Sequence, residues 1–211
     1  MKTIALGFRA MREGSVVVGV ALEGDAPRVV FSGFLATAEE GDRLAREPFH
    51  LAAEMAGGWG TAIPPKAAAA VDEGRRRQEA LAQSDLAEMI HGLKEAGWEP
   101  VLAALLVNRA GWALSDLLGF GLSAPEHAAV AEGLAVREAL HTAFARCGLE
   151  AVEMDEKSLR EVASVGLGLS PAVVERLGAV VGRPWRKEQK LASLAAWVAL
   201  ARRPGDQLRT D

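Results

Sequence analysis

The chain of 211 residues has the length of one domain, or of one domain with an appendage. Hydrophobic residues make up 50% and charged residues 25%, a composition that excludes an intrinsically disordered chain. The formal net charge of −4 argues against a strongly basic nucleic-acid-binding protein, although a local basic face is compatible with it. The single cysteine, Cys147, excludes an intramolecular disulfide and a cysteine-based metal site.

The start of the chain is a poor signal peptide, because Arg9 and Arg12 interrupt its apolar run. No uninterrupted apolar stretch reaches the roughly 18 residues that a membrane helix needs. We therefore expect a soluble, cytoplasmic protein with no membrane partner.

Three apolar runs of strand length open the chain, over residues 3–8, 15–22 and 28–36. The second run is rich in valine, whose branched side chain favours strands. Gly24 and Pro27 supply turn chemistry between the second and third runs. Runs this close together predict an antiparallel meander, since parallel neighbours require long crossover connections.

A helical segment is predicted over residues 38–97. Thr37 and Glu40 have the spacing of a capping box, which predicts a helix start there. Helix is expected over most of residues 65–96, with Ser84 as a candidate cap of a further helix.

The second half of the chain returns to strands. Residues 101–107 form a short apolar run that fits a buried central strand. Ser123 and Glu126 have a second capping-box spacing, which predicts a helix that runs to about Arg146. Residues 150–154 are a further strand candidate.

Three predicted helices complete the chain, over residues 155–163, 170–182 and 187–202, and residues 204–211 are expected to form a flexible tail. Strands that alternate with helices after an initial meander predict an α/β fold. We expect a mixed sheet of about five strands flanked by helices, within a single domain over residues 1–203.

This order, with several short strings, resembles the RuvC-type Holliday junction resolvases of the ribonuclease H-like superfamily. Residues 6–9 (LGFR) resemble the first strand, where that family has hydrophobic-Gly-hydrophobic-Asp. Residues 32–37 (SGFLAT) resemble its third-strand string Ser-Gly-x-hydrophobic-x-Thr. Further similarity lies in residues 152–160, 165–182 and 187–200. The resemblance spans most of the chain and implies the ribonuclease H-like fold.

The sequence departs from that family at the positions that carry its chemistry. In the family, acidic residues of the first strand, the fourth strand and the last helix bind two divalent metals that activate water. Here the first-strand position falls on Arg9, and the fourth strand is followed by Asn108 and Arg109. Only Glu188 is acidic at the last-helix position. The resemblance thus implies a nuclease-like fold with no catalytic residues, no bound metal and no cofactor.

Cationic, amide and indole side chains near these positions are candidates for binding an anion or a nucleic-acid backbone. Guanidinium and ammonium groups bind phosphate, and indole rings stack on bases. The alternative is that the cations are solvated and paired with neighbouring glutamates such as Glu188, and that the tryptophans are packing residues. The candidates are Arg9, Asn108, Arg109, Trp112, Trp185, Arg186, Lys187 and Lys190.

Other patterns are weaker. The arginine run 75–77 is flanked by acidic residues and is typical of a solvated helix. No nucleophile elbow, phosphate loop or dinucleotide-binding motif is present. A shifted alignment would bring Glu23, Asp25 or Glu153 into the site and restore a metal-binding set.

Three functions are compatible with the sequence. The first is a non-catalytic RuvC-like protein that binds structured DNA or RNA, or a protein partner, through a remnant active-site cleft. The second is a homodimeric interaction or scaffold protein with no nucleic-acid role, built on its Ala-rich helices. The third is an enzyme of another class that holds a small anionic substrate in the cleft through Arg9 and Arg186.

Overall fold

The computed structural model describes residues 1–24, 26–108, 114–167 and 185–202. Its strands are β1 (Lys2–Met11), β2 (Gly14–Glu23), β3 (Ala26–Ala36), β4 (Trp98–Val107) and β5 (Glu150–Asp155). Its helices are α1 (Arg43–Arg46), α2 (Pro48–Ala56), α3 (Pro65–Glu95), α4 (Leu117–Ser123), α5 (Pro125–Arg146), α6 (Leu159–Leu167) and α7 (Lys187–Ala201). The helix expected over 170–182 and the expected tail lie outside these residues. Among the described helices, none has the length and apolar character needed to cross a membrane.

The five strands form one mixed sheet in the order β3-β2-β1-β4-β5. β1, β2 and β3 are the expected antiparallel meander. β4 pairs parallel with β1, and β5 pairs parallel with β4. The α/β class and the mixed sheet expected from the sequence are confirmed. The parallel strands β1, β4 and β5 all terminate at one end of the sheet, which we call the carboxyl end.

Helices cover both faces of the sheet, because successive residues of a strand point to opposite sides. Ile4, Leu6 and Phe8 of β1 are fully buried against α3 and α5. Ala5 packs instead with α6 and α7, on what we call the α7 face of the sheet. The fold is therefore three layers, with two apolar cores separated by the sheet.

The helical segment between β3 and β4 contributes a third apolar cluster, centred on Phe49 of α2. The first halves of α3 and α5 pack into this cluster, and their second halves pack on the sheet. Because both helices belong to two cores, we propose that residues 1–203 form one domain.

Two predicted capping boxes are wrong. β3 continues to Ala36, and the amide of Thr37 donates to the carbonyl of Glu13 at 2.9 Å, so Thr37 belongs to the end of the sheet. Helix α1 begins six residues later, where the Asp42 carboxylate accepts from the Ala45 amide. Ser123 is the last residue of α4, and its hydroxyl donates to the carbonyl of Phe120 at 2.6 Å.

The predicted break near Ser84 is also wrong, because α3 runs without interruption through 31 residues. Its second half packs apolar side chains such as Leu86 against the sheet. This continuous burial favours an unbroken helix over an internal cap.

Helix α7 approaches β1 very closely at Gly7. A Cβ atom added to Gly7 would lie 1.8 Å from the carbonyl oxygen of Ala192 and 3.1 Å from the amide nitrogen of Ala196. No side chain fits there, since backbone atoms of a helix cannot move aside as a flexible side chain can. Gly7 thus lets α7 lie directly on β1 and fixes its position along the strand.

We predict that Gly7→Ala destabilises the protein by about 3 kcal/mol or more, because the added methyl group overlaps helix backbone. Chemical denaturation followed by circular dichroism measures the change. Gly133→Ala in α5 is the matched control, since a Cβ there meets nothing within 4 Å. That variant should gain about 0.5–1 kcal/mol from helix propensity. Equal stability of the two variants would contradict the close contact.

Candidate functional site

The carboxyl end of the sheet brings together residues that are far apart in the sequence. Arg9 of β1 lies opposite Leu106 of β4, which lies opposite Met154 of β5. Residues that follow these strands, such as Asn108 and Glu156, are therefore close to Arg9. Carboxyl ends of parallel strands are the usual place for ligand sites in α/β sheets.

Arg9 is held by two carboxylates. Its Nε lies 3.0 Å from Oε2 of Glu156, and its Nη2 lies 3.3 Å from Oε1 of the same residue. Its Nη1 lies 3.9 Å from Oε1 of Glu188. The three side chains are only 20–30% exposed, so their charges are poorly screened by water. The guanidinium thus links the end of β5 to the first turn of α7.

The backbone fixes both carboxylates. The amide of Glu156 donates to the carbonyl of Val107 at 2.9 Å, which continues the pairing of β4 and β5 by one residue. Glu188 lies one helical turn before Ala192, the residue that touches Gly7. Arg9 is two residues after Gly7 and so points to the same face of the sheet. The contact at Gly7 therefore determines that Glu188 faces Arg9.

The side chains around Arg9 do not fit a pair of divalent cations. Such cations need several carboxylate oxygens, whereas here a guanidinium lies between the carboxylates and would repel a metal. Within the described ranges, no group of three histidine, cysteine, aspartate or glutamate residues is placed to hold a metal ion.

Exposed cations surround the start of α7. Arg186 and Lys187 are exposed, and Lys190 is half-buried. The Arg186 amide donates to Oε1 of Gln189 at 2.9 Å, and Nε2 of Gln189 donates to the Ser32 hydroxyl at 2.9 Å. This chain of hydrogen bonds holds the start of α7 against β3, while the neighbouring cations face solvent.

Other candidates from the sequence have different surroundings. Asn108 is exposed at the end of β4. Trp185 is half-buried and packs against the core of the α7 face, which favours a packing role for its ring. Arg109 and Trp112 lie outside the described residues.

Two cations near this site, Lys157 and Arg160, are absent from the predicted set. Both are exposed in the segment that follows β5. The amide of Lys157 donates to Oδ1 of Asp155 at 2.8 Å, which folds the turn back at the carboxyl end. Both residues follow a predicted strand closely, and this position could have identified them as site candidates from the sequence. The same reasoning would have identified Glu156.

A second polar cluster lies between β1, α2 and α5, around the buried carboxylate of Glu132. Its Oε1 lies 2.8 Å from Nδ1 of His50 and 3.4 Å from the His50 amide. Nη2 of Arg12 lies 3.6 Å from Oε2. A carboxylate that is 3% exposed requires such partners, because an unpaired buried charge is very costly. No local pattern indicates this cluster, since Arg12 lies in the turn after β1, His50 in α2 and Glu132 in α5.

The alternative carboxylates do not reach Arg9. Glu23 lies at the opposite end of the sheet, where a hydrogen bond from Arg28 holds the pKa of Glu23 below its usual value. Glu153 points to the other face and pairs with Arg137 and His141 of α5. Asp25 lies outside the described residues. The shifted alignment therefore gains no support from the described residues.

Comparisons with solved structures identify the architecture. Thermus thermophilus RuvC in complex with a Holliday junction substrate superimposes with a TM-score of 0.52 at 9% sequence identity, over 93% of this chain and 91% of that chain. A second Thermus thermophilus RuvC structure gives a TM-score of 0.50 at 11% identity, over 92% of each chain. This chain has the RuvC fold. No protein-family model and no curated protein matches the sequence.

The RuvC fold confirms the ribonuclease H-like architecture that the sequence resemblance implied. At 9–11% identity the likeness concerns the fold alone. The chemistry of the site must therefore be argued from the residues of this chain.

We predict that Arg9→Asp converts the site into one that responds to divalent cations. The variant places a third carboxylate beside Glu156 and Glu188, so it should lose about 2 kcal/mol of stability without metal. Mn²⁺ should restore much of that loss, because a ligand that binds only the folded state stabilises it. Thermal unfolding with and without Mn²⁺ measures the effect.

Two controls accompany this measurement. Arg9→Asn removes the cation without adding a carboxylate and should respond to Mn²⁺ much less. The unmodified protein should not respond at all. A comparable rise in Tm for the unmodified protein would show that it already has a metal site.

Proposed function

We propose that this chain is a non-catalytic nucleic-acid-binding protein, which binds through the carboxyl end of its RuvC-like sheet. The observation that carries the proposal is the position of Arg9, whose guanidinium lies between Glu156 and Glu188 at 3.0 and 3.9 Å. This arrangement neutralises part of the carboxylate charge from within the protein, with no need for a metal, at the place where α/β folds bind ligands.

The charges at this end of the sheet favour a phosphate backbone. Arg9 offsets one of the two carboxylates that repel an anion, and the exposed cations at the start of α7 outweigh the other. Arg186 and Lys187 are exposed and available to phosphates. Because the chain has a net charge of −4, we expect phosphates to bind only at this local basic surface.

The remaining candidates are assigned by their position. Asn108 and Lys190 border the same end of the sheet, and we propose that they contact the sugar-phosphate backbone. Arg109, Trp112 and Trp185 stay candidates from the sequence for the same surface.

Because one of the RuvC structures is a complex with a Holliday junction, branched DNA is the first ligand to test. We also propose a cytoplasmic location.

A protein-binding role is the second candidate, and a groove favours it. The groove has a volume of about 520 Å³ and lies between the edge strand β3 and the second half of α3. Apolar residues including Phe31, Phe34 and Met89 line it, together with the acidic residues Asp85 and Glu88. The Ala-rich faces expected to form a dimer are largely buried within the chain on α5 and α7. Homodimer formation stays a prediction.

The third function, an enzyme for a small anionic substrate, receives less support. It requires Arg9 and Arg186 to hold the anion together. The carboxylates of Glu156 and Glu188 already engage Arg9, which leaves Arg186 as the only exposed member of that pair.

We predict salt-sensitive binding of DNA that does not depend on divalent cations and does not lead to cleavage. Fluorescence anisotropy with a labelled four-way junction, a duplex and a single strand, over a range of salt concentrations, measures it. Arg186→Ala and Lys187→Ala should each weaken duplex binding and lower the slope of log K against log salt by about 0.9. The same samples, incubated with Mg²⁺ or Mn²⁺ and run on a gel, report cleavage.

Arg76→Ala is the matched control, because Arg76 is exposed on α3, which packs on the other face of the sheet. It should leave both the affinity and the salt slope unchanged. Metal-dependent cleavage by a clean preparation would overturn the non-catalytic assignment. Absence of binding at low salt would overturn the nucleic-acid function as a whole.

A further inference from the structure

Two large apolar side chains are exposed beside the site, although such residues are normally buried. Phe34 of β3 is 50% exposed, and Met11 at the end of β1 is 42% exposed. Phe34, Val16 and Arg9 lie directly opposite one another on three neighbouring strands, so their side chains share the α7 face. Met11 is two residues beyond Arg9 and projects from that face as well.

The ring of Phe34 is supported from below by a glycine. A Cβ atom added to Gly14 would lie 2.9 Å from two carbon atoms of the Phe34 ring. The missing side chain therefore makes room for the ring to lie against the backbone of β2. With one side held in this way and half of the side chain exposed, the ring offers a preformed flat surface.

Cations lie next to this surface. Ser32 is two residues before Phe34, and its hydroxyl accepts from Gln189 in the first turn of α7. Gln189 in turn accepts from the amide of Arg186. This connection holds Arg186 and its neighbour Lys187, both exposed, beside the strand that carries Phe34.

We propose that Phe34, together with Met11, is a stacking subsite for an unpaired base whose phosphates lie along Arg186 and Lys187. The inference rests on the proposed nucleic-acid function and specifies its ligand as a nucleic acid with exposed bases. Aromatic rings stack on any unpaired base, whereas the bases inside a duplex are covered by their neighbours. The subsite would therefore select single strands and branch points that carry unpaired bases over fully paired duplex.

The groove between β3 and α3 is less suited to binding nucleic acid than the α7 face. The edge of β3 beside this groove is also poorly suited to pairing with an added strand. The amide of Ala36, which faces away from β2, donates to Oδ2 of Asp85 in α3 at 3.1 Å. This bond occupies a donor that a pairing strand would need. Asp85 and Glu88 also place negative charge along the groove, which repels phosphate. Phe34 also borders this groove, so the charges direct the phosphates to the α7 face, where Arg186 and Lys187 lie, and leave the ring of Phe34 for a base.

The test compares two labelled DNA probes of identical duplex sequence, one blunt and one with a single-stranded extension. Phe34→Ala should weaken binding of the extended probe roughly five- to 100-fold and leave the blunt duplex unchanged. Phe34→Trp should retain the preference, since it keeps a ring. Val130→Ala, at an apolar residue of α5 that is 40% exposed, is the control and should change neither affinity.

A spectroscopic readout separates stacking from other effects. A 2-aminopurine base in the extension should be quenched when the unmodified protein binds, and Phe34→Ala should abolish that quenching at saturating protein. Arg186→Ala combined with Lys187→Ala should weaken both probes alike, because these residues contact phosphates.

The outcomes distinguish this inference from the function on which it rests. If the unmodified protein binds both probes but Phe34→Ala affects neither, or both equally, the stacking subsite is overturned and nucleic-acid binding stands. If the unmodified protein binds neither probe, the proposed function fails first. A change in oligomeric state of Phe34→Ala, measured by light scattering, without a change in DNA preference would assign Phe34 to a protein interface and overturn the inference.

Discussion

The contact between Gly7 and the backbone of α7 determines the arrangement of the whole carboxyl end. Because no side chain separates β1 from the helix, the carbonyl of Ala192 lies directly on the strand. One turn earlier, Glu188 reaches Arg9, and its neighbour Gln189 reaches Ser32 on β3. A helix held further from the sheet would lose both interactions, since they depend on separations of 3–4 Å.

Arg9 gives this end of the sheet a permanent internal cation. A RuvC-like fold that ends β1 with a guanidinium, and pairs it with the carboxylates of Glu156 and Glu188, has no need of metal ions to hold these groups together. We propose that the exposed cations of α7 and the ring of Phe34 are the groups that contact a ligand. Positive charge and exposed apolar surface at the same end of the sheet favour a function in ligand binding rather than catalysis.

The sequence predicted the elements well wherever periodicity and burial agree. The valine-rich run of β2 and the apolar run within β4 are strands, as expected, and the last helix begins at Lys187. Thr37 and Ser123 do not cap helices as their spacing predicted, although the helix expected after Ser123 is confirmed over Pro125–Arg146. Thr37 instead pairs with Glu13 at the end of the sheet, and the hydroxyl of Ser123 donates to Phe120 within the preceding helix.

By itself the sequence determined the α/β class and the mixed sheet, because these follow from local patterns and strand order. The choice of Arg9, Arg186 and Lys187 as binding residues came from the family resemblance and stays a prediction. Only the tertiary structure decided that Glu156 and Glu188 both engage Arg9, and that Phe34 lies in the same row of the sheet as Arg9. The position of α7 arises from contacts between residues more than 100 positions apart, such as Gly7 and Ala192, and the row that joins Arg9 to Phe34 arises from the pairing of three strands. Such contacts leave no mark on the local pattern of a single sequence.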